Sequence, residues 1–232
     1  MIMNSKSRKG ELFVKNHPKS PVSEAYRFVR TNLNYMNPDN PLQVIGITST
    51  AEQEGKSTVS ANLGKALSLD LDKVIIVDAD LRKPMLNRFF DITGDSGLSD
   101  YLSGDLKYED IIKETGEDNL DIITTGPIPP NPAELLGSKK MKNLIKKLRK
   151  DYDKIIVDTP PVMPVSDPVI LAPLIDGIIL VVAANQTPIE LLKKSKSMLD
   201  NVNANVIGTI LNKYPADTGN KYSKDHYYYG KN

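Results

Sequence analysis

Apolar positions fall into two rhythms along this chain. Short Ile/Val-rich runs occupy residues 44–49, 74–77, 120–123, 155–157, 178–182 and 206–211. They lack clean polar alternation, as strands covered on both faces do. Between most of them the apolar spacing is helical: strongly over 57–69, as short pieces over 97–102 and 108–113, as one long helix over 132–150, and again over 165–174 and 189–202. The 132–150 segment opens on Asn131 as cap, Pro132 first and Glu134 third, a variant of the capping box. A further helix is predicted over 22–36, opened by Ser20-Pro21, with its apolar face at Ala25, Phe28, Val29, Leu33 and Met36. The alternation predicts an α/β fold: right-handed crossovers and a mostly parallel twisted sheet with helices on both faces. Residues 1–20 are polar, basic and broken by Pro18, and read as a flexible arm. Residues 21–212 read as a single domain. Residues 213–232 lose all apolar periodicity and read as a mobile tail.

The stretch Glu54-Gly55-Lys56-Ser57-Thr58 lies between the first strand and the strongest helix. Strand, small-residue turn, Lys-Ser-Thr, helix is the layout of a phosphate-binding loop. Amides at a new helix N-terminus suit phosphate oxygens. Lys56 is placed to reach the terminal phosphates, and Ser57 to ligate Mg²⁺. Strict G-x-x-x-x-G-K-[ST] spacing needs Gly at position 50, where this chain has Thr50.

In such sheets ligands bind at the carboxyl ends of the strands. Asp78 and Asp80 follow the second strand in DADLRKP, Asp158 follows the fourth in DTPP, and Asn212 follows the last. An Asp after a strand is as often a turn residue or cap; together with the loop they suggest a Mg²⁺–ATP site. Asp158 fits the Walker-B role. Asp78 and Asp80 fit a metal-water ligand and the proton acceptor for the attacking group; a loose transition state needs no strong base. Asn212 either meets the base edge or closes the strand end. Arg82 and Lys83 either steady phosphates or are surface charges. Glu24, Arg27 and Arg30 recur at steps of three along one side of the first helix; by spacing alone they form a solvated face with an internal ion pair.

Composition narrows the class. The chain has 232 residues, formal net charge +1 and no cysteine. Disulfides, Cys-ligated zinc and thiol catalysis are excluded, and no global field argues for nucleic acid. The basic start leads into no apolar signal region, and runs such as 178–184 are too short to span a bilayer, so a cytoplasmic protein is expected.

The set EGKST, VDADLRKP and IIVDTPP resembles the bacterial tyrosine kinases, P-loop enzymes of the deviant-Walker, MinD-like group that govern capsule and exopolysaccharide synthesis. The likeness covers nearly the whole chain, including GPIPPNPAELL from Gly126 to Leu136. It puts Lys56, Ser57, Asp78, Asp80 and Asp158 on the Walker A, A′ and B positions, with Glu54, Gly55, Thr58 and Asn212 around the nucleotide. The loop departs from the family's common form in having Gln53 where Gly is usual. The resemblance turns Glu24, Arg27 and Arg30 into the E-x-x-R-x-x-R subunit contact of a ring, its count left open between an octamer and other sizes. It makes Tyr222, Tyr227, Tyr228 and Tyr229 an autophosphorylation cluster. It further implies a split form, peripheral to the plasma membrane through an adaptor's cytoplasmic tail, with protein substrates in polysaccharide synthesis. From Asn212 a flexible tail as far as Tyr228 has an end-to-end distance of roughly 20 Å and an extended reach of about 55 Å. Its tyrosines can therefore visit the chain's own site or a neighbour's. The main rival is an ATPase of the partition or cell-division type. Those carry a second signature Lys five residues before the Walker Lys, where this chain has Ala51.

Overall fold

The computed structural model describes residues 10–36, 39, 41–70 and 72–214. In chain order these form α1 (Phe13–Asn16), α2 (Pro21–Tyr35), β1 (Val44–Ser49), α3 (Lys56–Ser68), β2 (Val74–Asp78), α4 (Asn87–Phe90), α5 (Leu98–Ser103), α6 (Tyr108–Ile111), β3 (Lys113–Glu117), β4 (Leu120–Ile123), α7 (Pro132–Leu136), α8 (Lys139–Asp151), β5 (Lys154–Asp158), α9 (Asp167–Leu171) with a 3-10 turn (Ala172–Leu174), β6 (Gly177–Ala183), α10 (Ile189–Asp200) and β7 (Val206–Asn212). The sheet has seven strands in the order β3-β4-β2-β5-β1-β6-β7, and only β3 runs antiparallel to its neighbour. The expected α/β architecture is present, with helices on both faces.

The inner strands explain their own sequence. Val74 and Ile76 of β2 face α3 and the N-terminal helices, while Ile75 and Val77 face α5 to α9. On β6, Ile179 and Val181 face the α3 side, and Ile178 and Leu180 pack under α10. Both faces are dry, so both sets are apolar.

Three expectations need correction. The helix predicted over 132–150 is two, broken at Gly137, because the Ser138 side chain caps a new start by accepting from the Met141 amide. The strand Lys113–Glu117 stands where a helix end and loop were expected. Its sequence, KETGE, carries no apolar signal; it is an edge strand held by polar contacts, with Lys113 Nζ donating to Ser96 O (2.7 Å) and Thr124 Oγ1 (3.0 Å). On α2 the buried line is Ser23, Tyr26 and Leu33, with Val29 packed beside it. Phe28, placed on the core side by spacing, is 68 % exposed, and Ala25 and Met36 are exposed too. The helix rests on α3 by a narrow stripe, and the Phe28 side faces away.

The flexible arm expected over 1–20 fails for its described part, residues 10–20. Leu12 and Val14 are buried in the core, and Asn62 of α3 stitches them down. Its Oδ1 accepts from the Val14 amide (3.2 Å) and its Nδ2 donates to Glu11 O (3.0 Å). Asn62→Ala orphans two backbone groups, and a stability loss of about 2 kcal/mol is expected. A melting curve checks it, with faster proteolysis near residues 11–16 as the local sign.

A second tie joins the same segment to the sheet edge. Glu117 accepts from Lys15 and, at 3.0 Å, from Lys65. Burial alone would raise its carboxyl, but the two lysines outweigh it and hold the group below the ordinary glutamate range. A depressed carboxylate stabilises the fold above its unfolded value, near 4.5, and that contribution is lost as pH falls through the folded value. Protection of the Val14 amide, taken relative to its intrinsic exchange rate, is therefore expected to fall below about pH 4.5 in the wild type. Glu117→Gln should flatten that dependence.

Candidate nucleotide site

The carboxyl ends of β1, β2, β5 and β7 converge, as the sequence predicted for a ligand edge. Between them lies a cavity of about 690 Å³, lined by Gly55, Lys56, Ser57, Thr58, Asp80 and Asn212 on one side and by Met85, Phe89, Pro160, Pro161 and Val165 on another. The first turn of α3 leaves the Lys56, Ser57 and Thr58 amides without intrahelical acceptors. Its cap, Gly55, has no side chain to offer them. Gly55 sits at φ +95°, and a Cβ there would come within 2.0 Å of Asn212 Nδ2. This is a backbone cradle of anion-binding form. Gln53, which stands where the related loops commonly have Gly, also takes the left-handed conformation, at φ +63°. The turn is thus kept with a side chain in a glycine position. Thr50, in place of the strict motif's first Gly, is fully buried, and its Oγ1 has no partner among the described residues.

Lys56 is clamped by carboxylates. Its Nζ lies 2.7 Å from Asp80 Oδ2 and 3.8 Å from Asp158 Oδ2. Burial works against its charge, yet Asp158 and Asp80 hold it above the ordinary lysine value. Asp158 accepts from Ser57 Oγ (2.7 Å) and from Ser60 Oγ (2.8 Å). Burial pushes its carboxyl up, against the opposing pull of Lys56 and the two serines. Asp78 pairs in register with Asp158 on the adjacent strand. Burial, and then the Asp158 charge, push the Asp78 carboxyl up to about 8. Its oxygens accept from the Asp80 and Leu86 amides, both at 3.3 Å.

Other predicted residues fall into bracing roles. Glu54 is buried; its carboxylate accepts from the Ala51 amide (3.0 Å) and from Thr187 Oγ1, and its carbonyl accepts from Asn212 Nδ2 (2.9 Å). Asn212 therefore closes the strand end against the loop while lining the cavity. Arg82 is bidentate on the fully buried Asp167 (2.9 and 3.0 Å), and Lys83 reaches Glu52 across the cavity mouth (2.6 Å). Neither is free to hold a phosphate as placed. Ser60 and Thr187 were not anticipated. Ser60 lies one helical turn beyond Lys56 and was legible in principle; Thr187 meets the loop only through the fold. Away from the cavity, Arg27 pairs with Glu24, and Arg30 donates to Ala66 O (2.9 Å) and pairs with Asp70 (2.9 Å). Tyr222, Tyr227, Tyr228 and Tyr229 lie outside the described residues.

Comparison with known proteins agrees with this geometry. Residues 42–210 match the family described as AAA domain. Tyrosine-protein kinase YwqD of Bacillus subtilis is 40 % identical over 215 residues, 92 % of this chain and 88 % of that protein. The kinase domain of the Escherichia coli tyrosine kinase ETK superposes with a TM-score of 0.86 at 30 % identity, over 94 % of this chain and 86 % of that domain. The chain belongs to the bacterial tyrosine-kinase family. A more distant likeness, TM-score 0.63 at 29 % identity over 75 % of this chain and 72 % of that one, is to the septum site-determining protein MinD of Pyrococcus horikoshii, solved with Mg-ADP. The P-loop sheet is thus shared with cell-division ATPases, while the fuller match is to the kinases. Among the described residues no helix is long and apolar enough to cross a membrane.

Proposed function

We propose that this kinase uses ATP and Mg²⁺ to phosphorylate its own C-terminal tyrosines, within a ring-shaped homo-oligomer that regulates capsule or exopolysaccharide synthesis. The observation that carries the reading is the junction of the cradle with the end of β7. Asn212 and Lys213 line the cavity, so the segment bearing Tyr222, Tyr227, Tyr228 and Tyr229 departs from the nucleotide edge itself.

The residues present suit a magnesium nucleotide. The cradle is uncapped, Lys56 is cationic, and Ser57, Asp78 and Asp158 offer hard oxygens. No group of three or more acidic, His or Cys side chains among the described residues forms a cage. That suits Mg²⁺, which takes one or two carboxylates and completes its shell from phosphates and water. When bound, the ion would offset the negative charge of the phosphate oxygens. Ser57, Asp158 and Asp78 would hold it. Lys56 would exchange Asp80 for a phosphate oxygen. Asp80, which lines the cavity as Asp78 does not, would then be free to take the phenol proton at Oδ2.

Ring assembly rests on α2, where Glu24, Arg27 and Arg30 are held in place beside the exposed Phe28 (68 %) and Tyr35 (77 %). The adaptor's cytoplasmic tail as partner, attachment at the plasma membrane and substrates among polysaccharide enzymes are part of the same proposal, supported by the likeness to the family. Accumulated tail phosphates, each adding about −1.5 to −2 charge, would drive the ring apart. Light scattering before and after phosphorylation tests that point; an unchanged mass sinks it.

The decisive experiment is incubation with Mg-ATP and the adaptor's tail, followed by mass spectrometry of the C-terminal peptide. Phosphate on the tail tyrosines is expected, and its absence from a Tyr→Phe tail. ATP hydrolysis without phosphotyrosine would favour an ATPase of the partition type instead.

A further inference from the structure

The α8 sequence KKMKNLIKKLRKD holds seven basic residues and a single acid. Its apolar face is spent: Met141, Leu144, Ile145 and Leu148 are all buried in the core. Three of the basic groups have partners inside the molecule. Lys140 lies over the Tyr101 ring (5.2 Å), Lys147 over Tyr108 (5.0 Å), and Arg149 is paired with Asp176 (2.6 Å). The lone acid, Asp151, accepts from Tyr108 OH (2.6 Å). Lys139, Lys142, Lys146 and Lys150 are exposed and have no partner among the described residues.

Those four share one line. At 100° per residue they fall within about 80° of arc, opposite the buried face, and span roughly 16 Å of helix. Their spacing of three and four residues sets like charges side by side, which destabilises a helix. Lys139 also stands in the first turn, against the helix dipole, where the helix has no acid. On α10 two of the three lysines are paired, Lys193 with Glu190 (3.1 Å) and Lys196 with Asp200 (2.6 Å). Four exposed lysines without partners among the described residues thus stand together on one ridge of α8.

We infer that this ridge is a docking surface for an anionic phospholipid bilayer, touched directly by the kinase. Contact is by charge alone, since the apolar face is not available for insertion. A nucleic acid fits less well. The arginine that could fork onto a phosphate is tied to Asp176, and the nearby rings of Tyr101 and Tyr108 are buried, 6 % and 9 % exposed, so they offer no stacking platform. Lysines in a row suit a diffuse, flat layer of headgroup charge.

Sedimentation of the full chain with phosphatidylcholine vesicles, with and without about a third phosphatidylglycerol, tests this at low and moderate salt. Binding only to the anionic vesicles, weakened by salt, is expected. Replacing Lys139, Lys142, Lys146 and Lys150 together by Gln should lower the partition by about tenfold or more, and replacing the same four by Arg should restore it. Lys193→Gln with Lys196→Gln on α10 should change nothing. Melting curves show whether each variant is folded, and the salt dependence of the wild type stands even if one is not. Equal binding to neutral vesicles, or full binding by the Gln variant, overturns the inference. So does release by inorganic phosphate at matched ionic strength, which would mark a discrete anion site. Retention of duplex DNA without vesicle binding would reassign the ridge to nucleic acid.

Discussion

Lys56→Met protein is expected to lose phosphoryl transfer by about 10³-fold or more, since a preorganised cation on the transferring group is removed. The structure adds a second consequence. Lys56 is the cation that opposes the upward push of burial on both Asp158 and Asp78. Without it, two fully buried carboxyl groups on adjacent strands lose their counter-charge, and both bind protons more readily in the folded state. A carboxyl raised by folding stabilises at low pH, and that contribution is lost as pH rises from the unfolded value toward the folded one. Wild type loses that contribution as well, up to its own folded value of about 8 for Asp78, so the variant should melt close to wild type at low pH and fall progressively behind as pH rises past the wild-type values. Two readouts separate chemistry from folding: phosphotyrosine by mass spectrometry, and melting temperature against pH. Persistent phosphate on the variant would defeat the assignment of the site. A deficit independent of pH would defeat the electrostatic account while leaving the catalytic role standing.

The legible parts of this protein are those whose cause is local. The doubly buried strands carry Ile and Val at successive positions, and the phosphate loop must put small residues and Lys-Ser between a strand and a helix. Asp78, Asp158 and Asn212 could be singled out because ligand sites gather at strand ends. What stayed hidden depends on contacts distant in sequence. Strand Lys113–Glu117 has no apolar residue to announce it and is held by Ser96, Thr124, Lys15 and Lys65. Residues 10–16 look like an arm until Asn62 supplies their partners. Phe28 shares the helical spacing of a core residue, and only the position of α3 shows that the core lies on the other side. Within the site, the family resemblance placed Glu54 around the nucleotide. Its burial against Ala51 and Thr187 makes it the brace that holds the loop's shape.

Gly55→Ala should weaken nucleotide binding by about 100-fold without unfolding the chain. Two separate costs meet at this residue. At φ +95° any L side chain is strained, by about 1–2 kcal/mol. The added methyl would also lie 2.0 Å from Asn212 Nδ2, so the loop and the end of β7 must part, breaking the hydrogen bond from Asn212 to Glu54 O. The cradle is formed by those same backbone groups, so relief of the clash displaces the amides that would meet phosphate. Asn212→Ala in the Gly55→Ala background removes the clash and keeps the strain, and it should recover part of the affinity. Gln53→Gly works in the opposite sense. Gln53 already holds φ +63°, so glycine there relieves strain; binding should stay near wild type, with stability moved by no more than about 1 kcal/mol. Calorimetric titration with Mg-ADP ranks the four proteins: wild type and Gln53→Gly together, the double variant between, Gly55→Ala weakest. Equal affinity for Gly55→Ala and wild type would show that the loop is not the phosphate cradle, whatever Lys56 proves to do.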